Sequence, residues 1–210
     1  MSRGATVLAE GRWANAVLYL VEHGGHTWVV KDFKPRAFIV RHTIGRLLIS
    51  RECRALRRMR RLAGVPQDAF RLDACAVAYR FAPGQILNKA ELGPRIGEFF
   101  LALEGVLKQV HAVAGIVHLD TRTSSNILVT DQGAPMLIDF QSHASTAWMP
   151  GPVRRWLEGF DMAGIYKHWA RLSPETMGEW RQEQLKEMNR WRRFWILRGY
   201  LGARKPISVK

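Results

Sequence analysis

The chain reads as an α+β protein on three observations. Its first third carries short β-type runs bounded by turn residues, Pro83-Gly84 interrupts the chain, and the remainder is helical apart from one polar hairpin. AVLYLVE and TWVVKDF are strands separated by HGGH, whose glycine pair suits a tight hairpin turn. A helix is expected from about Thr43 to Ala63, ended by Gly64 and Pro66. AFRLD and CAVAYRF form another strand pair. Beyond Pro83-Gly84, ELGPRIGEFFLALEGVLKQVHAV is a helix with Ile96, Phe99, Phe100, Leu103, Leu107 and Val110 on one face and Pro94 in its first turn. Then come ILV and MLI, two short strands joined by the turn residues TDQGAP. Ser173 is placed to N-cap a last helix, with Pro174 and Glu175 suited to its first turn and Met177, Trp180, Met188, Trp191 and Trp195 as its apolar stripe. The division falls into residues 1–82 and 83–210.

A chain of 210 residues with a hydrophobic fraction of 47% can bury a core, which excludes a disordered chain. Cys53 and Cys75 have no metal-type spacing and form no disulfide framework, so a reducing cytoplasm is expected. The start lacks the apolar run of a secretory signal, and no stretch reaches the ~20 apolar residues of a membrane span. A soluble or at most peripheral protein follows. The net charge of +14 predicts an anionic partner: nucleic acid, acidic lipid, phosphorylated sugar or nucleotide.

Charged residues in apolar positions carry the functional signal. Leu48, Leu56, Met59 and Leu62 share a helix face, and Glu52 sits in the middle of it. A buried carboxylate without a partner costs several kcal/mol, so a cation should meet it. Lys31, inside the apolar strand TWVVKDF, has the complementary problem. Each alone could reach water from a half-exposed element; together they predict an ion pair. In HLDTRTSSNILVTDQGAPMLIDFQ, the hairpin holds Asn126 and Asp139 at its outer ends, with Asp120 on the loop before it. Such clustered oxygens suit a hard cation and the phosphates it accompanies.

Lys31 on a strand, Glu52 on the following helix, His118-x-Asp120, Asn126 and Asp139-Phe140 resemble, in that order, the protein-kinase-like superfamily. The resemblance spans about Gly11 to Asp161. RECRALRRMRRLAGVP, YRFAPG and HAVAGIVHLD resemble the glutamate helix, the hinge and the catalytic-loop approach of its compact bacterial members, the RIO-like and lipopolysaccharide-core (Kdo or heptose) sugar kinases.

The resemblance implies a two-lobed fold: an antiparallel-sheet N-lobe with one helix (1–82) and a mainly helical C-lobe (83–210). It implies an ATP-dependent phosphotransferase using Mg²⁺, or Mn²⁺, on a hydroxyl acceptor. Lys31 would contact the nucleotide phosphates and Glu52 would hold Lys31. Asp139 and Asn126 would bind the metal, and Asp120 would orient or deprotonate the acceptor hydroxyl. Gly11 and Val17 would cover the nucleotide. Ala78 to Phe81, Tyr79 and Phe81 included, would lie beside the adenine and offer backbone hydrogen bonds. His118 would be structural.

The sequence departs from the family pattern in four places. EGRWANAVLYL has Gly11 but no complete glycine-rich loop, and Asn15 is either a side-chain donor to phosphate or a plain turn residue. Asn126 lies one residue beyond the usual offset from Asp120, which Ser125 occupies. Asn126 is chosen because it directly precedes the strand ILV, with Ser125 as a competing oxygen. Gln141 replaces the glycine after Asp139-Phe140, implying a fixed metal loop. Only about twenty residues separate Gln141 from Asp161, which leaves little room for a peptide-docking segment. Asp161 resembles the helix aspartate that braces the catalytic loop, or else is an ordinary N-cap.

Arginines 51, 54, 57, 58, 60 and 61 surround the first helix, and the C-terminal run WRRFWILRGYLGARKPISVK mixes arginine with aromatics. Such a tail suits a solvated face, an anionic inner-membrane surface or RNA. The acceptor is a glycolipid sugar in lipopolysaccharide biosynthesis or a protein Ser/Thr. The rival from another class is a pseudokinase or an RNA- or membrane-associated scaffold that binds nucleotide without transfer.

Overall fold

The computed structural model describes residues 5–10, 15–88 and 90–193. It is a mixed α+β structure, with a five-stranded antiparallel sheet on the N-terminal side and a helical C-terminal part. Strand β1 (Ala5–Glu10), β2 (Val17–His23), β3 (His26–Asp32), β4 (Phe70–Arg71) and β5 (Ala76–Arg80) lie in the order β1-β2-β3-β5-β4. The β2–β3 turn uses Gly24 and Gly25 at φ 60° and 74°, the left-handed pair that the twist of a two-residue hairpin requires. Strand β1 is not among the elements the sequence predicts, because ATVLAE shows no clean apolar–polar alternation. It pairs with β2 through a bulge between Val7 and Ala9.

On β3, Val29 and Lys31 point inward at period two, and Phe33 just beyond the strand continues the pattern. Lys31 is therefore committed to the interior by the pleat. The helix expected at 43–63 instead runs as α1 (Phe38–Val40), a π-helical stretch (Arg41–Gly45) and α2 (Arg46–Arg58). It starts and ends about a turn earlier than the apolar pattern suggested. Gly45 lets it touch the sheet, since a Cβ there would lie 2.8 Å from the Phe33 ring. After Met59 the chain turns to bury Leu62 and Val65. Gly64, at φ 74°, then presses against Val106.

Pro83-Gly84 is more than a break. Residues Gly84–Ile86 form β6, which pairs with β8 (Ile127–Thr130), itself paired with β9 (Pro135–Leu137). Only glycine fits at 84, because a Cβ would stand 2.3 Å from the Val129 carbonyl. Between them, a 3₁₀ turn (Gly93–Arg95) containing Pro94 leads into α3 (Ile96–Gln109), and a π-helical stretch (Val110–Ala114) ends at Gly115 in the left-handed conformation. Strand β7 (Ile116–Val117) pairs with β10 (Ala144–Ser145).

Helix α4 (Gly151–Leu172) packs on α3. The last helix is not continuous from Ser173. A short α5 (Pro174–Met177) stops at Gly178, φ 79°, and α6 (Glu179–Arg193) leaves in a new direction. Ser173 does occupy the N-cap position, but its hydroxyl bonds the Glu175 and Thr176 side chains. The expected tryptophan stripe is corrected accordingly. Met177 is buried while Trp180 and Trp191 face outward, and Trp195 lies outside the described residues. The inward face of α6 carries Leu185 and the expected Met188, which packs near Gly159, together with Arg181, which bonds buried Glu104 at 2.6 Å beside the Trp169 ring. One apolar cluster runs from the sheet and α2 (Val29, Leu56, Met59, Tyr79) through α3 to Phe140, Tyr166 and Trp169. A smaller one seals Phe33, Ile49, Cys53 and Cys75.

Candidate active site

The ammonium of Lys31 lies 2.8 and 2.9 Å from the two Glu52 oxygens and 2.8 Å from Asp139 Oδ1. Lys31 is 6% exposed and Glu52 1%. Three chain-distant residues thus converge where β3, α2 and the end of β9 meet. Burial alone would lower the Lys31 pKa, but the Glu52 and Asp139 carboxylates outweigh it and hold the ammonium above its usual range. Burial pushes Glu52 up against the pull of Lys31. Asp139 is also penalised by burial, yet Lys31 brings it below the ordinary carboxylate range.

Gln141, the departure from glycine, has a structural reason: its side chain lies beside the Glu52 carboxylate and favours the charged form. One residue before Glu52, Arg51 donates to the His143 carbonyl. Helix α2 therefore grips the 3₁₀ turn Phe140–Ser142 at two adjacent positions. Neither contact was signalled by local pattern.

Asp120 and Asn126 are brought together. Asn126 Nδ2 donates to Asp120 Oδ2 at 2.8 Å and to the Asp120 carbonyl at 3.1 Å, while Thr123 Oγ1 donates to Asp120 Oδ1 at 2.6 Å. The extra loop residue is absorbed by a 3₁₀ turn, Ser124–Asn126. Asn126 is buried and Ser125 half-buried. Both Asn126 acceptors are oxygens without protons, which fixes the amide orientation and leaves Oδ1 for another partner. Asn126 is joined to the Asp139 segment by the bond from Ile138 N–H to its carbonyl, 2.9 Å. His118 makes a second link through Nε2 to the Ile138 carbonyl, 3.0 Å, and its ring packs on Phe140. Since His118 Nδ1 accepts from Asp120 N–H, Nε2 is the protonated nitrogen.

Asp161 sits mid-way along α4, which rules out the N-cap reading. Its carboxylate is fully buried and accepts from Leu119 N–H at 2.7 Å, His118 N–H at 2.5 Å and His111 Nε2 at 3.1 Å. Leu119 and Asp139 both have left-handed backbones, φ 66° and 65°; such strain persists only where surroundings over-determine it. The same face of α4 adds two residues that sequence reading missed. At Gly164 a Cβ would fall 1.9 Å from Thr121 Oγ1, so glycine there admits the loop. His168 is buried on the same face, beside the Thr121 backbone. The spacing Asp161, Gly164, His168 is the i, i+3, i+7 repeat of one helix face, a signal present in the sequence but silent without knowing what that face met.

His168 carries a prediction. Burial lowers its pKa from 6.5 to about 4, because a second N–H would find no acceptor at Nε2. The unfolded chain therefore takes the proton first. This contribution to stability is complete above pH 6.5, is lost as pH falls to about 4, and amounts to at most roughly 3 kcal/mol. His143, also lowered by burial, acts in the same direction. Urea midpoints across this range should fall with pH, and His168→Asn should flatten the slope. An equal slope in the variant would exclude His168 as the cause.

Val17 opens β2 at a buried position, and Tyr79 is buried with its hydroxyl pKa raised by burial. Phe81 is half-buried. In this segment Arg80 N–H is held by the Gln67 carbonyl and Phe81 N–H by the Thr27 carbonyl. Gly11 lies outside the described residues.

No protein-family model and no curated protein matches the chain. Among solved structures, it is similar to the Rio2 kinase–ADP/Mg²⁺–phosphoaspartate complex from Chaetomium thermophilum, with a TM-score of 0.62 and 14% identity over 92% of this chain and 72% of that one. The fold is protein-kinase-like. Within that kinase-like fold, the Lys31–Glu52–Asp139 cluster lies between the five-stranded sheet and the helical part, and the Asp120–Asn126 pair borders the same β9 end.

Among the described residues no three His, Cys, Asp or Glu side chains form a self-sufficient metal cage. The donor set nonetheless fits Mg²⁺, which takes one or two protein oxygens alongside substrate phosphates. Asp139 and the fixed Asn126 Oδ1 are hard oxygens of that kind. No helix of the described residues is long and apolar enough to cross a membrane.

Proposed function

We propose that the chain is an ATP-dependent phosphotransferase that transfers the γ-phosphoryl group to a hydroxyl, with residues 1–82 and 83–210 as the lobes of a nucleotide cleft. The observation that carries this reading is the Lys31 ammonium held at 2.8 Å from both Glu52 and Asp139. Glu52 would keep the ammonium in place while the N–H now given to Asp139 turns to a phosphate oxygen, with Asp139 freed for the metal. A bound Mg²⁺, or Mn²⁺, would neutralise phosphate charge, and Asp139 with Asn126 would hold it. Asp120, its two oxygens fixed by Thr123 and Asn126, would orient the acceptor hydroxyl and take its proton as the new O–P bond forms and ADP leaves. Val17, Tyr79 and Phe81 would border the adenine, with hydrogen bonds supplied by hinge carbonyls. Gly11 would lie over the phosphates.

The acceptor is a lipopolysaccharide-core sugar or a protein Ser/Thr. The short path from Gln141 to α4 leaves little room for a docked peptide and favours the sugar, in a cytoplasmic protein working at the inner membrane face. The similarity to a Rio2 structure keeps the protein acceptor in play. Labelled ATP incubated with a cell lysate, then resolved into glycolipid and protein fractions, should place label in one fraction and lose it with Asp120→Ala. Label in neither fraction, with nucleotide binding retained, would identify the pseudokinase or scaffold instead. Binding has its own expected outcome: Mg²⁺-dependent stabilisation of about 2.7 kcal/mol at hundredfold excess of ATP over its Kd, absent in Asp139→Ala. Thermal unfolding with and without nucleotide measures it.

A further inference from the structure

The outer face of the α1–α2 rod is left unused by the proposed chemistry. Along its N-terminal half, Phe38, Ile39, Ile44 and Leu47 are between 52% and 75% exposed. Single exposed apolar residues are ordinary, but four large ones within ten positions of one helical rod form a patch. Along its C-terminal half the outward residues are Arg54, Arg57 and Arg58. Leu47, Ser50, Arg54 and Arg57 follow the i, i+3, i+7, i+10 repeat, so the apolar and basic halves form one strip. A cavity of about 230 Å³ opens along it, lined by Ser50, Cys53, Arg54, Arg57 and Arg71. Arg71 is held there by the Asp73 and Ala74 carbonyls, and Arg54, Arg57 and the Ser50 hydroxyl are the lining groups that suit a phosphate.

The charge of this region is one-sided. Between Phe33 and Gln67 there are ten lysines and arginines and one acid, Glu52. Glu52 faces the interior and is engaged by Lys31. The strip therefore has no acidic neighbour of its own on the rod, and its complement must be anionic.

We infer that the outer face of α1–α2 docks on an anionic phospholipid bilayer, with Phe38, Ile39, Ile44 and Leu47 entering the headgroup–acyl boundary and the Arg54–Arg57–Arg71 cavity taking a lipid phosphate. Apolar side chains beside arginines on one helical surface are what interfacial binding requires. RNA uses the arginines equally well, but it offers nothing to three exposed aliphatic side chains, since its stacking partners are aromatic. The docking surface is distinct from the C-terminal basic run, and it stands independently of phosphoryl transfer.

The full chain should cosediment with phosphatidylcholine vesicles containing about one-third phosphatidylglycerol, bind pure phosphatidylcholine far less, and release as salt is raised. Ile39→Asp with Leu47→Asp, and separately Arg54→Gln with Arg57→Gln, should each weaken binding to the anionic vesicles by about tenfold or more. All four side chains are exposed, and an unchanged melting curve for each variant verifies the fold. The inference is overturned if wild type ignores the anionic vesicles, or if either pair of substitutions leaves binding intact, which would move it to another surface. It is equally overturned if a single-stranded RNA probe displaces the vesicles while the Ile39 and Leu47 substitutions leave RNA binding unchanged. Loss of self-association without any vesicle binding would assign the face to a second copy of the chain and also overturn it. Sedimentation is read without nucleotide, so failure of the kinase reading leaves this result untouched.

Discussion

Lys31→Met should destabilise the protein by about 3–5 kcal/mol, and adding Glu52→Leu should recover most of that loss. The single substitution leaves the Glu52 carboxylate buried with no cation. Asp139, formerly bridged through the ammonium, then becomes a like charge beside it. Removing Glu52 as well eliminates the stranded charge. Asp139 tolerates this, because its side chain is 37% exposed and reaches water. The single variant should also be relatively less damaged at pH 5 than at pH 8. Glu52, already pushed up by burial, would rise further without Lys31. A folded pKa raised above the unfolded one gives stability that is present at low pH and lost as pH rises through the folded value. Urea denaturation of the two single variants and the double variant, at both pH values, tests the whole set. A loss below 1 kcal/mol in Lys31→Met, or a double variant as unstable as the sum of the singles, would mean that the pair is not buried as described. Transfer should vanish in all three, which separates the electrostatic role of the lysine in folding from its role toward phosphate.

Asp161→Ala should cost about 2–6 kcal/mol, the sum of two backbone N–H groups left without acceptors at roughly 1–3 kcal/mol each. These are the amides of His118 and Leu119, and His111 loses its partner as well. The change reaches the site through the loop alone. Leu119 no longer has its positive φ enforced, so the Asp120 carboxylate loses its position, whereas Lys31 and Asp139 stand on other elements. Transfer should fall by about 10²–10⁴, the range for losing a positioned acid–base group, while the dissociation constant for Mg²⁺–ATP changes little. Titration calorimetry with nucleotide alongside a transfer assay reads both. An Asp161→Ala protein with normal transfer would show that the carboxylate braces nothing in the loop.

The departures from the familiar pattern turn out to have local physical reasons. The extra residue between Asp120 and Asn126 is taken up by a 3₁₀ turn that still brings the amide to the carboxylate. Gln141, where glycine would allow the segment to move, reaches the same carboxylate that holds Lys31. Together with the Arg51 contact to His143, it ties the metal-side turn to α2.

Read alone, the sequence determined that a cation on a strand and a carboxylate on the next helix had to meet, because neither could be buried singly. It determined the β2–β3 and β8–β9 hairpins, whose glycine turns and alternating side chains are local properties, and it ordered the polar residues along the chain. It did not yield β1, whose six residues lack a clean apolar–polar alternation, or β6, whose three residues start at the Pro83-Gly84 break; both exist because a neighbouring strand offers hydrogen bonds. Nor did it show that Gly178 divides the last helix, so that a tryptophan stripe drawn on one helix belongs to no single face. Whether Asp161 capped a helix or braced a loop was likewise undecided, since an aspartate has the same composition in both settings. Those outcomes depend on which surface lies opposite, and a carboxylate, a glycine or a histidine acquires its role only from the donor, the Cβ or the carbonyl that tertiary packing brings against it.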